Sequence, residues 1–179
     1  MKALREIAIL VFLAVLIVLP IRAFVAQPFI VEGESMVPTF SDSDYLIIDE
    51  FTYRLEDPKR GDVIVFRYPG NPSIFYIKRI IGLPGETVRI KEGVVEITGA
   101  DSQVISLSEP YVINEDATYA PETTLGKEHY FVMGDNRPRS SDSRVWGPLP
   151  REDIMGRALL RVFPTAHAGF FPGKTEYAP

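Results

Sequence analysis

The chain has no cysteine and only two histidines among its 179 residues. The absence of cysteine excludes thiol catalysis, disulfide bonds and zinc sites built on thiolates, and it leaves the redox compartment undecided. Two histidines, His129 and His167, are too few for a histidine-rich metal site. We therefore expect no metal and no cofactor.

The chain also lacks an excess of positive charge, since 19 Lys and Arg stand against 24 Asp and Glu, a net charge of −5. This balance gives no basic surface for nucleic acid, so we expect no nucleic-acid partner. Outside the amino-terminal segment no long apolar run has the 3.6-residue period of a helix. The 15 prolines and 13 glycines, spread along the chain, are typical of a mainly β fold with many turns.

One long hydrophobic run is present, at the amino terminus. Ile7–Ala26 is apolar apart from Pro20 and Arg22. As a helix it would be roughly 30 Å long, the thickness of the hydrocarbon layer of a bilayer. It predicts a single transmembrane anchor over residues 1–26. Lys2 and Arg5 precede it and predict a cytoplasmic amino terminus, with the rest of the chain on the extracytoplasmic face of the plasma membrane.

A cleaved secretory signal peptide is the alternative interpretation of the same run. Cleavage after Ala26 would place Phe24 at the third position before the cut, and cleavage after Ala23 would place Ile21 there. Neither is a small residue, so the sequence favours a retained anchor.

Seven strand-like segments follow, separated by turns rich in proline and glycine. They are Tyr45–Asp49, Asp62–Arg67, Phe75–Ile81, Glu86–Ile90, Val94–Ile97, His129–Met133 and Ala158–Phe163. Val88–Ile97 is predicted to be a hairpin with its turn at Glu92-Gly93. We predict an antiparallel β-rich core over residues 27–97 and 128–164, a small polar cap over 98–127, and a weakly patterned tail over 165–179.

A lysine stands in the middle of an apolar strand, Phe75-Tyr76-Ile77-Lys78-Arg79-Ile80-Ile81. If Lys78 is on a buried face, loss of water lowers the pKa of its amine and makes it a general base. The alternative is an edge-strand lysine whose amine reaches solvent. The chain also offers a serine that such a base could activate, in Gly33-Glu34-Ser35-Met36-Val37-Pro38-Thr39.

Three blocks taken together carry a resemblance to a known family. The first runs from Pro28 to Thr39, the second is Tyr76-Ile77-Lys78-Arg79-Ile80-Ile81-Gly82-Leu83-Pro84-Gly85-Glu86, and the third is Met133-Gly134-Asp135-Asn136-Arg137-Pro138-Arg139-Ser140-Ser141-Asp142-Ser143-Arg144. In this order, behind one hydrophobic segment, they resemble bacterial type I signal peptidases. These are membrane-anchored serine/lysine proteases with an antiparallel β-sheet catalytic domain, and they remove signal peptides from exported proteins.

The resemblance implies that Ser35 attacks the scissile carbonyl and that Lys78 takes the proton of its hydroxyl. It implies that Ser140 hydrogen-bonds the lysine amine and orients it. From the residues alone, a loop serine that caps local backbone is the first interpretation of Ser140.

The resemblance also implies two ion pairs that support the site. Asp142 would pair with Arg144, and Asp135 with Arg79, which must point away from the lysine face of its strand. A solvated, charged loop is the alternative.

Some members of the family have a serine two residues before the nucleophile, where its hydroxyl helps to bind the oxyanion. Here that position is Gly33, so the oxyanion would depend on the N–H of Ser35 and another donor.

The family cleaves after small residues at the first and third positions before the scissile bond, which implies two shallow apolar pockets. The positions that match the pocket walls are Phe29, Val31, Met36, Tyr76 and Ile77. Each of them could equally be a core residue.

The implied substrates are exported preproteins, and the lipid bilayer is the implied surroundings. One rival is a self-cleaving peptidase of the SOS-repressor type, but those have a DNA-binding amino-terminal part. The other rival is a membrane-tethered β-domain that binds a partner without catalysis, against which the presence of both Ser35 and Lys78 argues.

Overall fold

The computed structural model describes residues 2–24, 26–113, 120–175 and 177, with side chains described for 4–16, 27–113, 120–175 and 177. Helix α1 (Lys2–Phe24) precedes all strands, and the short α2 (Ser143–Trp146) follows the ninth. The strands in the described residues are β1 (Ala26–Ile30), β2 (Tyr45–Asp49), β3 (Val63–Tyr68), β4 (Asn71–Gly82), β5 (Thr87–Lys91), β6 (Val94–Thr98), β7 (Val104–Ser106), β8 (Ala120–Thr124), β9 (His129–Met133), β10 (Leu149–Pro150), β11 (Ile154–Phe163) and β12 (Gly169–Phe170).

The strands form two antiparallel sheets. The main sheet has the order β1-β2-β11-β3-β4-β9-β10, with β12 paired to β11, and the small sheet has the order β7-β6-β5-β8. The prediction of a mainly β, antiparallel fold is confirmed. All seven predicted strands are present, and β2 and β9 have the predicted bounds.

The predicted transmembrane anchor is wrong. No helix in the part of the chain that the structure describes is long and apolar enough to cross a membrane. The side chains described in α1 are those of residues 4–16. The prediction covered Ile7–Ala26, and the side chains of 17–26 lie outside the described residues.

The predicted hairpin is present, and its turn has the backbone that a two-residue connection requires. Lys91 pairs with Val94 across β5 and β6. Glu92 and Gly93 between them both have positive φ angles, 52° and 81°. This combination matches the twist of the flanking strands.

The small sheet combines two parts of the predicted organisation. Strands β5 and β6 come from the predicted core, whereas β7 and β8 come from residues 98–127. Val88 of β5, Ile97 of β6 and Ala120 of β8 belong to one apolar cluster. The division of the chain into core, cap and tail stays a prediction.

The main sheet is buried on both faces around β3 and β4. Val63 and Val65 pack into one apolar cluster, and Ile64 and Phe66 pack into another. Alternate residues of a strand point to opposite faces, which explains why this stretch is an uninterrupted apolar run. Strand β4 lies between β3 and β9, and its residues Ile77–Gly82 are buried.

Strands β2 and β11 approach each other closely at one glycine. A Cβ on Gly156 would lie 2.4 Å from the carbonyl oxygen of Asp49, which is backbone and cannot rotate away. We predict that Gly156→Ala lowers the free energy of unfolding by about 1–3 kcal/mol, because the strands must separate. Chemical denaturation measures this change.

Gly169→Ala is the matched control, since a Cβ at that position meets nothing within 4 Å. Its effect should stay within about 0.5 kcal/mol. Equal stabilities of the two variants would contradict the steric explanation.

Candidate active site

Ser35 lies in the loop between β1 and β2, and two buried side chains that follow it fix the loop. Met36 and Phe40 are 1% and 0% exposed. Burial of each contributes about 1.5–3 kcal/mol. The N–H of Phe40 donates to the carbonyl of Met36 over 2.8 Å. The carbonyl of Ser35 accepts the N–H of Asn136 over 3.0 Å, which ties the loop to the segment after β9.

Lys78 lies on β4 and is only 3% exposed, so the solvent-exposed alternative is wrong. Its Nζ atom is 2.7 Å from the Oγ atom of Ser35. It also donates to the carbonyl of Ile77 over 2.9 Å and lies 5.0 Å from the centre of the Tyr76 ring. The only side-chain oxygen among these contacts is the serine hydroxyl, and no carboxylate in the described residues hydrogen-bonds the amine.

Burial lowers the pKa of Lys78 from 10.5 to about 8. Desolvation is the largest cause, because it penalises the charged amine. The carboxylates of Asp142 and Asp135 act in the opposite direction and raise the pKa. The result is an amine with a substantial neutral fraction near pH 8, next to a hydroxyl.

Arg79, the next residue on β4, pairs with Asp135 through two hydrogen bonds. Its Nε and Nη2 atoms donate to the two carboxylate oxygens over 2.8 and 2.6 Å. Both side chains are 0% exposed. Desolvation lowers the pKa of Arg79, but the hydrogen bond and charge of Asp135 outweigh it, so the pKa is raised overall. Thr39 donates its hydroxyl to the same carboxylate over 2.5 Å and connects this pair to the Ser35 loop.

The second implied ion pair, Asp142 with Arg144, is also present. Arg144 donates to both carboxylate oxygens, with each of two contacts at 2.8 Å. Asp142 is the N-cap of α2 and accepts the backbone N–H of Arg144. It also accepts the N–H of Gly134 over 3.0 Å, so one buried carboxylate fixes both ends of the loop after β9.

Ser140 lies in this loop, but it does not contact the lysine amine as the resemblance implies. Its Oγ atom is buried and has no hydrogen-bond partner in the structure. A Cβ on Gly134 would lie 2.3 Å from this Oγ and 2.4 Å from the carbonyl oxygen of Ser35. Only glycine at position 134 allows the two loops to approach so closely.

Gly33 has a φ of +88° and donates its N–H to Asp42 over 2.8 Å. A Cβ at this position would meet nothing within 4 Å, so the backbone angle, not space, favours glycine. The N–H of Gly33 is thus engaged. Within the described residues, the N–H of Ser35 donates to no acceptor.

A groove of about 450 Å³ opens onto Ser35 and Lys78. Of the predicted pocket residues, Phe29, Tyr76 and Ile77 line it. Val31 and Met36 are instead buried in the core cluster beneath the site. The other apolar residues along the groove are Ile30, Ile74 and Phe75.

Several polar residues around the site were not found from the sequence. Asn136 and Arg137 belong to the third block and could have been included on that basis. Glu109, Tyr111 and Tyr177 lie in no motif. Glu109 nevertheless accepts hydrogen bonds from Arg137 and from the Tyr111 hydroxyl, which in turn contacts the hydroxyl of Tyr177. Across the described ranges, no group of three or more His, Asp or Glu residues is arranged to hold a metal ion.

A serine hydroxyl beside a buried, partly neutral amine defines a class, the hydrolases with a serine nucleophile and an adjacent base. The chain belongs to the signal peptidase family, peptidase S26, whose family model matches residues 4–163. It is therefore a serine endopeptidase.

Similar proteins include the signal peptidase I of Leptolyngbya laminosa, which is 41% identical over 88% of this chain and 78% of the relative. The signal peptidase I of Pseudomonas fluorescens is 34% identical over 83% of this chain and 68% of the relative. The signal peptidase I T of Bacillus subtilis is 36% identical over 86% of this chain and 82% of the relative.

The buried ion pair on β4 predicts a large cost for removing one partner. Asp135→Asn leaves Arg79 charged and buried without its counter-charge, and we expect the free energy of unfolding to fall by about 3–5 kcal/mol. Urea denaturation of the wild type and the variant measures this difference.

Glu122→Gln is the control, since it breaks an ion pair with Arg89 whose side chains are 51% and 57% exposed. That change should cost less than about 1 kcal/mol. If both variants lost a similar free energy of unfolding, burial of the Arg79–Asp135 pair would not be the reason for the cost.

Proposed function

We propose that the protein removes amino-terminal signal peptides from exported preproteins, with Ser35 as nucleophile and Lys78 as general base. The observation that carries this proposal is the 2.7 Å contact between Ser35 Oγ and a lysine Nζ whose pKa burial lowers to about 8. At that pKa the amine is available to accept a proton near neutral to mildly alkaline pH.

The proposed reaction has two stages. Neutral Lys78 accepts the proton of Ser35, and the Oγ atom forms a bond to the scissile carbonyl carbon. The tetrahedral intermediate then expels the amine of the mature protein, which takes the proton from the lysine ammonium. In the second stage the neutral amine of Lys78 deprotonates a water, which attacks the acyl carbon. The lysine ammonium then gives this proton to Ser35 Oγ as the signal peptide leaves.

The oxyanion of each intermediate needs a hydrogen-bond donor. The N–H of Ser35 is free of other acceptors in the described residues, which supports this role for it. Gly33 supplies no hydroxyl, and its N–H already binds Asp42. In this proposal its positive φ lets the loop turn so that the N–H of Ser35 faces the groove.

The remaining site residues would act as supports. Arg79 with Asp135, and Asp142 with Arg144, hold the strand of the base and the loop after β9 together. Ser140 would act from this loop as an orienting hydroxyl, since its buried oxygen has unused capacity for a hydrogen bond.

The groove favours an extended peptide as its occupant. Strand β1 is the edge of the main sheet and offers unpaired backbone groups along one side. Phe29, Tyr76 and Ile77 would form the walls of the pockets for small residues at the first and third positions, with Val31 and Met36 supporting those walls from the core. Larger side chains would be rejected by steric overlap.

We place the reaction on the extracytoplasmic face of the plasma membrane, at the lipid surface. Ile30, Ile74 and Phe75 border the groove and are 54%, 43% and 43% exposed. Apolar side chains exposed together suit contact with lipid or with the hydrophobic part of a signal peptide.

The test of this function is processing of a preprotein by variants of the two reacting residues. Ser35→Ala should lower kcat/KM by at least about 10⁴, and Lys78→Arg by a similar factor, because a guanidinium cannot act as base. For the wild type, kcat/KM should rise with pH through the pKa of Lys78, about 8, since only the neutral amine reacts.

Lys91→Arg is the matched control. This substitution should leave activity unchanged, because Lys91 is exposed on β5. Processing by Ser35→Ala at the wild-type rate would exclude the proposed mechanism. If neither the wild type nor Ser35→Ala processed the preprotein, a binding domain would be the better interpretation.

The groove also predicts a change of specificity. Ile77→Ala enlarges one wall, so preproteins with Val or Leu at the third position before the cut should gain roughly 10-fold in kcat/KM relative to those with Ala. Ile80→Ala removes the same atoms from a fully buried position of β4 outside the groove. It should leave the preference unchanged, and an unchanged preference in Ile77→Ala would remove this residue from the pocket.

A further inference from the structure

A chain of buried polar side chains connects the tail to the active site. We define the tyrosine–arginine network as Arg79, Glu109, Tyr111, Arg137 and Tyr177. The two arginines are 0% and 5% exposed. No motif marks the other three residues, and none of the five is among the reacting groups.

The tail completes the environment of Arg79. The Nη1 atom of Arg79 donates to the carbonyls of Gly61 and Gly173 over 2.9 and 2.5 Å, and to the hydroxyl of Thr175 over 3.2 Å. The face of its guanidinium stacks on the ring of Tyr111 at 3.9 Å. Without residues 173 and 175, this buried arginine would lose two of its acceptors.

The hydroxyl of Tyr111 is the junction of the network. It lies 2.5 Å from the hydroxyl of Tyr177 and donates to the carboxylate of Glu109 over 2.7 Å. Burial raises the pKa of both tyrosines, so both stay neutral and keep their protons for hydrogen bonding. The hydroxyl of Tyr177 can therefore donate to that of Tyr111.

Glu109 carries the network to the loop after β9. It binds Arg137 through two contacts, at 3.0 and 2.5 Å. Arg137 in turn donates its Nε to the carbonyl of Gly134 over 3.1 Å. Gly134 is the residue whose missing side chain lets this loop lie against Ser35.

Both ends of the network thus reach the reacting groups. Arg79 follows Lys78 directly on β4, and its partner Asp135 binds Thr39 in the Ser35 loop. The next residue, Asn136, donates its N–H to the carbonyl of Ser35 and its side-chain amide to the carbonyl of Glu34, both over 3.0 Å.

We propose that Tyr177 is a positioning residue of the active site, which acts through Tyr111 to hold the buried ion pairs, and so fixes the Ser35 loop against the strand of Lys78. This inference rests on the proposed function. It assigns the tail a part in the turnover of substrate, beyond a part in the stability of the fold.

The test compares Tyr177→Phe, Tyr111→Phe and the double variant in processing a preprotein. Each single change removes one hydroxyl and keeps the ring. We expect kcat to fall about fivefold to 10-fold in each with KM unchanged, because misplaced reacting atoms slow the chemistry whereas the groove is lined by other residues. The double variant should lose no more than a single one, since the hydroxyls act through each other.

The pH dependence gives a second readout. The carboxylates acting on Lys78 are Asp142 and Asp135, and both raise its pKa, whereas burial lowers it by more. A looser site admits water to the amine, so the rise of kcat/KM with pH should move to higher pH by roughly 0.3–1 unit. A part in stability alone would leave this profile and kcat in place.

Tyr45→Phe on β2 is the control for loss of a tyrosine hydroxyl and should match the wild type. Rates are expressed per folded enzyme, measured by circular dichroism at the assay temperature. Wild-type kcat and pH profile in Tyr177→Phe would overturn this inference while leaving the proposed function intact. Undiminished processing by Ser35→Ala would instead overturn the proposed function.

Discussion

The site depends on keeping one amine dry. Lys78 can serve as a base only while its charged form is disfavoured, and its burial on β4 lowers the pKa to about 8. Such burial costs folding free energy at neutral pH, because the unfolded chain holds the proton more tightly. Strand β4 tolerates this cost because β3 and β9 pair with it on both sides and apolar clusters cover both faces.

The charges around the amine are arranged so that they do not undo this effect. Asp135 and Asp142 each stabilise the ammonium form of Lys78. Carboxylates without an arginine partner would stabilise it more strongly. Instead, each carboxylate is held by two hydrogen bonds from an arginine guanidinium. The ion pairs thus fix the loop after β9 mechanically and limit the electrostatic pull of their own carboxylates on Lys78.

Sequence reasoning succeeded where a local pattern determines the structure. Strands β2 and β9 end at turns, and the Glu92-Gly93 turn marks its hairpin, so their bounds followed from residue type. Strand β8 was missed because it contains a proline, which is rare in strands, and because Pro121 and Glu122 are exposed and fall at the register shift in its pairing with β5. The ion pairs came from the family resemblance. The contacts of Arg79 with Gly173 and Thr175 join residues 94 and 96 positions apart and have no local pattern at all.

The proposed active site is assembled from parts of the chain that are distant in sequence. Ser35 and Lys78 are 43 residues apart, and Arg79 and Asp135 are 56 apart. Contacts of such long range form slowly during folding, since loop closure must precede them. A nascent or partly folded chain therefore holds neither a deprotonated amine nor a fixed hydroxyl. In the proposed mechanism, proteolytic competence therefore arises only once the whole β-structure has closed.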